Sequence, residues 1–360
     1  MKLGTHEVGP GNPCFIVAEL GVNHNGDPET ALEMVRAAAK AGADAVKIQC
    51  FRAAHFCGPT ATYKGESQLE MFKRYELSED AIRDIASACG EAGVVFFGTP
   101  DCLDCAKLLL ANGAPCLKVG SDDLTNLPLL RQLANLAVTG LGRVPLILST
   151  GMSSNSEICD ALDAMGEYPP PVALLHCVSL YPTDILDANL RMIAELRASL
   201  GSVVVGNQEG IVVGYSDHTL GIGAAVGSVW LGAAIVEKHF TLDCSTDGPD
   251  HALSADPAQF EAMVEGIADA ELLMGRPGQA RSPDEWLMRK VARRSIHAAR
   301  FIPQGTAISE TDLVYLRPGT GIAPADADDM IGRVALKDIT ALDMLTHEMF
   351  KRASDAGSES

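Results

Sequence analysis

Two histidines, His218 and His239, have the spacing of side chains that could hold a metal ion. Each ends a short apolar run, residues 211–218 and 233–239, and the two runs end twenty-one residues apart. A strand-plus-helix unit of an α/β barrel has about this repeat, so both imidazoles are expected at the carboxyl ends of adjacent parallel strands. Two neutral imidazoles that converge there suit a divalent cation, although a structural buried histidine is the commoner case for either one alone.

Lys47 and Lys118 lie inside otherwise apolar runs, where a lysine is costly unless it is paired or faces a ligand. A salt bridge inside the barrel would satisfy either lysine without a ligand. We favour ligand binding for both, because hydroxyl side chains follow the neighbouring runs and would join the two ammonium groups. Such a cradle suits phosphate and carboxylate groups.

Two carboxylates accompany these groups. Glu19 follows the first apolar run and is either a structural partner of Lys47 or a general acid–base residue with a raised pKa; the sequence leaves both open. Asp250 lies in the turn-rich stretch Gly248-Pro-Asp-His251. A plain loop would explain that stretch, but we favour an aspartate held beside the mouth of the barrel.

Cys102 and Cys105 have C-x-x-C spacing, but no second pair and no nearby histidine in the sequence completes a metal site. We therefore interpret them as a chance pairing and not as a zinc or redox motif. The ten cysteines form no regular framework, which predicts reduced thiols in the cytoplasm.

The elements that would position these side chains alternate regularly along the chain. Apolar runs typical of parallel strands buried on both faces are each followed by a helical stretch. Asp27 is a predicted helix cap with Pro28 in the first turn, and Ser78 begins another helix. Eight runs predict a (β/α)8 TIM barrel. They are residues 14–19, 43–49, 94–99, 115–119, 144–150, 172–177, 211–216 and 233–239.

Polar side chains near the ends of these runs form one predicted ring. Because barrel enzymes keep their chemistry at the carboxyl ends of the strands, this ring is the candidate site. Its members are Glu19, Lys47, Gln49, Thr99, Lys118, Ser121, Asp123, Ser149, Thr150, His176, Ser179, Tyr181, Ser216, His218 and His239. His176 ends its run one residue early and receives no role.

The composition of the sequence changes after the helix expected at 257–274. We assign residues 1–278 to the barrel domain and the turn- and charge-rich residues 279–293 to a linker. Residues 294–352 predict a small β-rich domain with little core of its own, and residues 353–360 a disordered tail.

Charge and hydropathy restrict the partners. The 360 residues carry 28 basic and 47 acidic side chains, and the net charge of −19 argues against nucleic acid and anionic membranes. No apolar run is long enough to span a membrane and no signal-peptide core follows Met1, so we expect a cytoplasmic protein. An anionic substrate would need lysines that create a local positive field against the global one.

Nine motifs, by their joint order and spacing, resemble the sialic acid synthase family, which condenses phosphoenolpyruvate with acylamino sugars. They are Ala18-Glu-Leu-Gly-Val-Asn-His-Asn-Gly26, Lys47-Ile-Gln49, Gly98-Thr-Pro100, Lys118-Val-Gly-Ser121, Leu148-Ser-Thr-Gly-Met152, His176-Cys-Val-Ser-Leu-Tyr-Pro182, Tyr215-Ser-Asp-His-Thr219, Glu237-Lys-His-Phe-Thr241 and Gly248-Pro-Asp-His251. The small C-terminal domain resembles the family's antifreeze-like (SAF) module, through residues 294–296, 302–305 and 316–322. In the family this module is exchanged across a homodimer, so the resemblance implies a domain-swapped homodimer.

The resemblance also implies residue roles. His218 and His239 would hold a divalent metal ion, with Mn²⁺ favoured and Mg²⁺ or Co²⁺ as alternatives, and Glu19 and Lys47 would join them in catalysis. The phosphoenolpyruvate ligands would be Lys47, Thr99, Lys118, Ser121, Ser149, Ser179 and Ser216. The sugar contacts would be Gln49, Asp123, Tyr181, Asp250 and, from the other subunit, Arg317.

Two departures from the family pattern concern the sugar. Asp123 stands where the family usually has Glu, and Ser179 where Asn is common. The implied acceptor is the open-chain aldehyde of an N-acylated hexosamine such as N-acetylmannosamine, giving a nonulosonic acid and phosphate. A 6-deoxy diacetamido hexose, as for legionaminic or pseudaminic acid, is the alternative acceptor. The rival functions are a metal-dependent aldolase or epimerase and a catalytically silent sugar-binding barrel.

Overall fold

The structure is a computed structural model that describes residues 1–63, 65–139, 143–200, 204–205, 208–275, 278 and 280–351. The chain divides into two compact units, Met1–Gly275 and Arg276–Ser360. Each unit has its own cluster of buried apolar side chains. No helix within the described ranges is long and apolar enough to cross a membrane.

The first unit is built on a closed parallel barrel, which confirms the predicted (β/α)8 architecture. Consecutive barrel strands are paired, and the last pairs with the first. Every predicted run contains a strand, and the ends differ by at most two residues. The barrel strands are β1 (Phe15–Gly21), β2 (Ala45–Cys50), β3 (Val95–Pro100), β4 (Leu117–Val119), β5 (Leu146–Ser149), β6 (Val172–Cys177), β7 (Val212–Asp217) and β8 (Ile235–His239).

The helices of this unit begin where the sequence supplies a cap. Asp27 accepts hydrogen bonds from the backbone N–H groups of Glu29 and Thr30, and Ser78 accepts one from Ala81. Both predicted caps are confirmed, and they satisfy donors that lack a partner inside the helix. The helices are α1 (Pro28–Lys40), α2 (Ala53–Phe56), α3 (Gln68–Tyr75), α4 (Glu79–Ala92), α5 (Leu103–Ala111), α6 (Leu127–Thr139), α7 (Asn155–Ala164), α8 (Arg191–Leu200), α9 (Gly223–Trp230) and α10 (Pro257–Met274).

Shorter elements complete this unit. Two-stranded hairpins pair Lys2–Leu3 with His6–Glu7, Thr62–Tyr63 with Glu66–Ser67, and Val204–Val205 with Gln208–Glu209. A 3-10 turn spans His251–Leu253, directly after the predicted site residue Asp250.

The second unit contains short antiparallel strands, as expected for the small β-rich domain. Strand β9 (Ser295–Ala298) pairs with β10 (Leu313–Leu316), and β11 (Val334–Ala335) pairs with β12 (Phe350–Lys351). Short helical turns lie at Glu310–Asp312, Pro324–Asp326, Ala327–Met330 and His347–Met349. The predicted disordered tail, 353–360, lies outside the described residues.

Helix α11 (Pro283–Ala292) occupies most of the segment predicted as a linker, 279–293. Ser282 caps it, Pro283 fits its first turn, and acidic residues lie in the first turn with basic residues in the last. These are ordinary helix-forming signals. The turn-rich residues that precede them obscured the helix in the sequence.

Strand alternation along β7 and β8 separates their ionisable side chains. Asp217 and Lys238 face the opposite side of the sheet from Ser216 and Glu237, because successive side chains point to opposite faces. Lys238 Nζ lies 2.8 Å from Asp217 Oδ2, and the two side chains are 1% and 0% exposed. This buried ion pair joins the two strands immediately beside His218 and His239.

We expect Asp217→Asn to lower the free energy of unfolding by about 3–5 kcal/mol, because it leaves the buried Lys238 ammonium without its counter-charge. Chemical denaturation followed by circular dichroism measures the change. Asp80→Asn is the control, since it breaks an exposed pair with Arg83 and should cost at most about 1 kcal/mol. Equal losses in the two variants would contradict the assignment.

Candidate active site

A cavity of about 340 Å³ lies at the carboxyl ends of the barrel strands. It brings together fourteen of the site residues that the sequence predicts within the first unit. These are Glu19, Lys47, Gln49, Thr99, Lys118, Ser121, Asp123, Ser149, Ser179, Tyr181, Ser216, His218, His239 and Asp250. Their individual roles stay predictions.

Two predicted ring members of the first unit do not line this cavity, and one predicted sugar contact belongs to the second unit. Arg317 is in the second unit, where it follows β10 and is exposed. Thr150 is buried and donates to the carbonyl of Leu175. The buried His176 has a structural hydrogen bond, 2.9 Å from Nε2 to the carbonyl of Ala188.

Lys47 is the centre of a buried ion network. Its Nζ lies 2.9 Å from Glu19 Oε2 and 3.1 Å from Glu237 Oε2. It also donates to Thr99 Oγ1 at 3.3 Å. Burial lowers the pKa of Lys47, but the two carboxylates raise it more, so the side chain stays an ammonium ion.

Lys118 extends this network to the neighbouring strands. Its Nζ donates to Ser149 Oγ at 2.6 Å and lies 4.0 Å from Glu237 Oε1. The same carboxylate oxygen accepts a hydrogen bond from Ser216 Oγ at 2.9 Å. Burial raises the pKa of Glu237, but Lys118 and Lys47 outweigh it and bring that pKa down to about 2. Glu237 is therefore a carboxylate at neutral pH.

Glu237 is a network member that is not among the site residues predicted from the sequence. It lies two residues before His239 in β8, so both side chains point to the same side of the strand. The run Glu237-Lys-His239 places three ionisable residues in succession inside a buried strand. That run was an available signal, because buried charges need partners.

Glu19 is a carboxyl group suited to proton exchange. Burial raises its pKa to about 7, with Lys47 opposing the rise and Glu237 adding to it. Its Oε1 is buried and has no hydrogen-bond partner. A carboxyl group of that pKa can accept or donate a proton near neutral pH. The contact with Lys47 shows that the predicted structural pairing exists, and it is compatible with the acid–base role.

Serine hydroxyls and a backbone amide converge beside Lys118. Ser121 Oγ accepts a hydrogen bond from the Gly151 N–H at 3.0 Å. A Cβ at Gly151 would lie 2.3 Å from Ser179 Oγ and 2.7 Å from Ser121 Oγ, so a side chain there would displace both hydroxyls. Together with Lys118, these hydroxyls have the donors of an anion-binding cradle.

His218 and His239 lie side by side, with ring centroids 5.3 Å apart. His218 Nδ1 donates to the Val178 carbonyl at 2.8 Å, which leaves Nε2 as its free ligand atom. His239 Nδ1 is buried without a hydrogen-bond partner and lies 3.6 Å from Asp250 Oδ2. Burial holds the pKa of His239 well below its usual value, so its imidazole is neutral. Paired imidazoles with an unpartnered buried nitrogen fit a divalent metal ion.

The predicted sugar contacts lie around this pair. The Tyr181 ring packs on His218, with centroids 4.3 Å apart. Asp123 accepts a hydrogen bond from Asn126 at 2.9 Å, and burial raises its pKa. Gln49, at the end of β2, and Asp250 also line the cavity.

One side of the cavity is apolar. We call it the aromatic wall, and it consists of Phe51, Phe56, Met71 and Phe72. The ring centroids of Phe56 and Phe72 are 4.9 Å apart, and those of Phe51 and Phe72 are 5.3 Å apart, both edge to face. Most of this wall is not predictable from the strand ends, because Phe56, Met71 and Phe72 lie in helices α2 and α3, between β2 and α4.

We expect Gly151→Ala to weaken the binding of inorganic phosphate by about 10- to 100-fold, because the added methyl group displaces the hydroxyl donors of Ser121 and Ser179. Isothermal titration calorimetry measures the affinity. Gly58→Ala is the control, since a Cβ at Gly58 would meet no atom within 4 Å. Unchanged phosphate affinity in Gly151→Ala would place the anion elsewhere.

Known proteins resemble this chain over most of its length. The N,N'-diacetyllegionaminic acid synthase of Legionella pneumophila is 38% identical over 333 residues, 89% of this chain and 89% of that protein. The N-acetylneuraminate-9-phosphate synthase of Homo sapiens is 30% identical over 352 residues, 95% of this chain and 94% of that protein. The crystal structure of the N-acetylneuraminic acid (sialic acid) synthetase of Leptospira borgpetersenii matches with a TM-score of 0.71 and 31% identity, covering 80% of this chain and 94% of that one.

The NeuB family model matches residues 34–279, and the SAF domain model matches residues 293–351. Both matches agree with the motifs quoted from the sequence and with the barrel and the small β-rich unit. The chain therefore belongs to the NeuB family, the sialic acid synthase family, and carries a C-terminal SAF domain.

Proposed function

We propose that this protein is a nonulosonic acid synthase that condenses phosphoenolpyruvate with the open-chain aldehyde of an N-acylated hexosamine and water, and releases phosphate. Membership of the NeuB family supports the product class. The observation that carries the proposal is the position of a lysine–serine anion cradle beside two imidazoles in one cavity. The anionic groups of an enol phosphate need the lysine–serine cradle, and an aldehyde oxygen that gains negative charge needs the imidazole pair.

The anionic substrate would be held through its carboxylate and phosphate. Lys47 is a buried ammonium group, and Lys118, whose pKa burial lowers against the opposing effect of Glu237, would add positive charge beside it in a protein of net charge −19. Such charge-assisted hydrogen bonds are stronger than neutral ones. The hydroxyl ligands would be Thr99, Ser121, Ser149, Ser179 and Ser216.

The proposed reaction consumes one water molecule. C3 of phosphoenolpyruvate forms the new bond to the aldehyde carbon, whose oxygen gains a proton. Water adds to C2, and the bond between C2 and the phosphate oxygen breaks. Glu19 would take the proton of the attacking water on its unpartnered Oε1. Holding both reactants in attack geometry lowers such barriers by about 7–11 kcal/mol in favourable cases.

His218 and His239 would hold the divalent metal ion, with Mn²⁺ favoured and Mg²⁺ or Co²⁺ as alternatives. A metal ion bound there supplies Lewis acidity toward the aldehyde oxygen. The neutral imidazole of His239 is available as a ligand, and the Val178 carbonyl fixes the ring of His218.

The sugar would be held around the histidines. Gln49, Asp123, Tyr181 and Asp250 line the same cavity and would contact its hydroxyl and acylamino groups. We also propose a domain-swapped homodimer in which Arg317 of the partner subunit completes this set.

A specific observation favours a second candidate acceptor, a 6-deoxy diacetamido hexose, which would give a legionaminic or pseudaminic acid. The aromatic wall offers apolar surface to a methyl group, whereas a C6 hydroxyl against it would lose its hydrogen bonds to water. The relative from Legionella pneumophila named above is a legionaminic acid synthase.

The reaction is tested by incubating the full-length protein with phosphoenolpyruvate, Mn²⁺ and a panel of N-acetylated hexosamines, and by following phosphate and the 2-keto acid product. We expect phosphate release that requires both sugar and metal. His218→Ala and His239→Ala should each abolish turnover and weaken Mn²⁺ binding measured without substrate. His55→Ala, exposed on α2, is the control.

Each alternative has its own signature in this assay. Full activity in either histidine variant would remove that residue from the metal site. Phosphate release without sugar would indicate a hydrolase, and no release with any sugar would favour the silent sugar-binding barrel. Turnover of a sugar phosphate without phosphoenolpyruvate would favour an aldolase or epimerase.

Phe72→Ala tests the acceptor class. We expect kcat/KM for the 6-deoxy diacetamido hexose to fall by about 10- to 200-fold, because an apolar pocket discriminates a methyl-sized group by that much. The value for N-acetylmannosamine should change far less. Tyr168→Ala, which changes an exposed aromatic residue outside the cavity, is the control. If kcat/KM fell equally for both sugars, the aromatic wall would have no role in selecting the acceptor.

A further inference from the structure

A second group of metal-ligand side chains lies beside the cavity, at the carboxyl ends of β2 and β3. Within the described part of the chain, Asp101, Cys102 and Cys105 offer ligand atoms that all lie within 4.8 Å of one another. Asp101 also lines the cavity, two residues after Thr99. No residue of this group has a role in the proposed condensation.

Cys50, at the end of β2, adds a third thiol to this group. Its Sγ lies 3.9 Å from the carbonyl of Cys105, and its own carbonyl accepts a hydrogen bond from the Asp101 N–H at 3.1 Å. Strand pairing places Cys50 opposite Pro100, the last residue of β3. The C-x-x-C pair is thus completed by residues from two strands, and we call Cys50, Asp101, Cys102 and Cys105 the thiol cluster.

Backbone contacts hold the cluster in place. Asp101 Oδ2 accepts a hydrogen bond from the Arg52 N–H at 3.0 Å, while Oδ1 is buried without a hydrogen-bond partner. Cys102 is the N-cap of α5, its Sγ accepting from the Cys105 N–H at 3.5 Å. Cysteine is an unusual choice there, since Ser, Thr, Asp and Asn are the preferred caps.

Three sulfurs and one carboxylate oxygen match a tetrahedral site for a thiophilic cation. Zn²⁺ binds thiolates at about 2.3 Å, which sets sulfurs about 3.7 Å apart, so the ligand atoms of Asp101, Cys102 and Cys105, all within 4.8 Å of one another, can close on such an ion with small movements. The ligands of the histidine pair are imidazole nitrogens, which suit a different range of metals.

Burial lowers the pKa of the nearby Arg52. Negative charge on Cys105 and Cys50 would raise that pKa. The Arg52 guanidinium also pairs with Glu76 and Glu79, so it would offset only part of the thiolate charge.

We propose that Asp101, Cys102 and Cys105, with Cys50 as the fourth ligand, bind a thiophilic divalent cation such as Zn²⁺, separately from His218 and His239. Binding replaces the protons of the coordinating thiols, which pass to solvent. The ion joins the ends of β2 and β3 to the start of α5. It would therefore fix the wall of the cavity that carries Thr99 and Asp101.

Co²⁺ titration of the reduced, metal-free full-length protein tests this site. Thiolate ligands give Co²⁺ an intense near-ultraviolet charge-transfer band that imidazole and oxygen ligands lack. We expect this band in the wild type and in the double variant His218→Ala/His239→Ala. It should disappear in Cys102→Ser/Cys105→Ser and persist in the control Cys159→Ser, which changes an exposed cysteine.

A measurement on the wild type alone covers the case in which the double cysteine variant does not fold. Zn²⁺ at about ten times its dissociation constant should slow alkylation of Cys102 and Cys105 about tenfold, and leave Cys159 unchanged. Absence of the charge-transfer band, or alkylation that Zn²⁺ does not slow, would overturn the proposal. The proposal would also be overturned if the purified protein contained a disulfide between Cys102 and Cys105 and bound no metal after that disulfide was reduced. None of these outcomes bears on the condensation activity.

Discussion

The contact of Lys47 with two carboxylates, Glu19 and Glu237, is the interaction on which the rest of the site depends. A buried ammonium group is unstable without counter-charges, and two buried carboxylates are equally unstable without ammonium groups. The three residues come from β2, β1 and β8, and β1 and β8 are the first and last strands of the barrel. The network can form only when the barrel has closed, so closure of the barrel and assembly of the site are one event.

The same network explains how a strongly acidic protein would bind the proposed anionic substrate. Glu237 is ionised and is shared between Lys47 and Lys118, whereas Glu19 has a pKa near neutrality and does not cancel a full charge. The two ammonium groups also contact hydroxyl groups, since Lys47 donates to Thr99 and Lys118 to Ser149. The local field is therefore set by a few buried residues, while the acidic surface is free to serve solubility.

Much of the fold was predictable because its signals are local. Buried parallel strands appear as apolar runs, and the repeat between His218 and His239 was enough to place both imidazoles at adjacent strand ends. What the sequence did not reveal depends on contacts between distant segments. The role of Glu237 follows from which charges face it across the barrel, and the environment of Cys102 and Cys105 follows from the pairing of β2 with β3. Helix α11 was missed for a different reason, since turn-forming residues beside its cap resemble a linker.

The alternation of Glu237, Lys238 and His239 along β8 has a consequence for folding fidelity. A slip of one residue in the register of this strand would turn Lys238 toward Lys47 and Lys118, and would carry Glu237 and His239 to the outer side against Asp217. Like charges would then meet on both the inner and the outer side of the strand, where the surroundings are of low polarity and such contacts are costly. The side chains placed for chemistry therefore also select one strand alignment, so a sequence that weakens the site would also tolerate misaligned barrels.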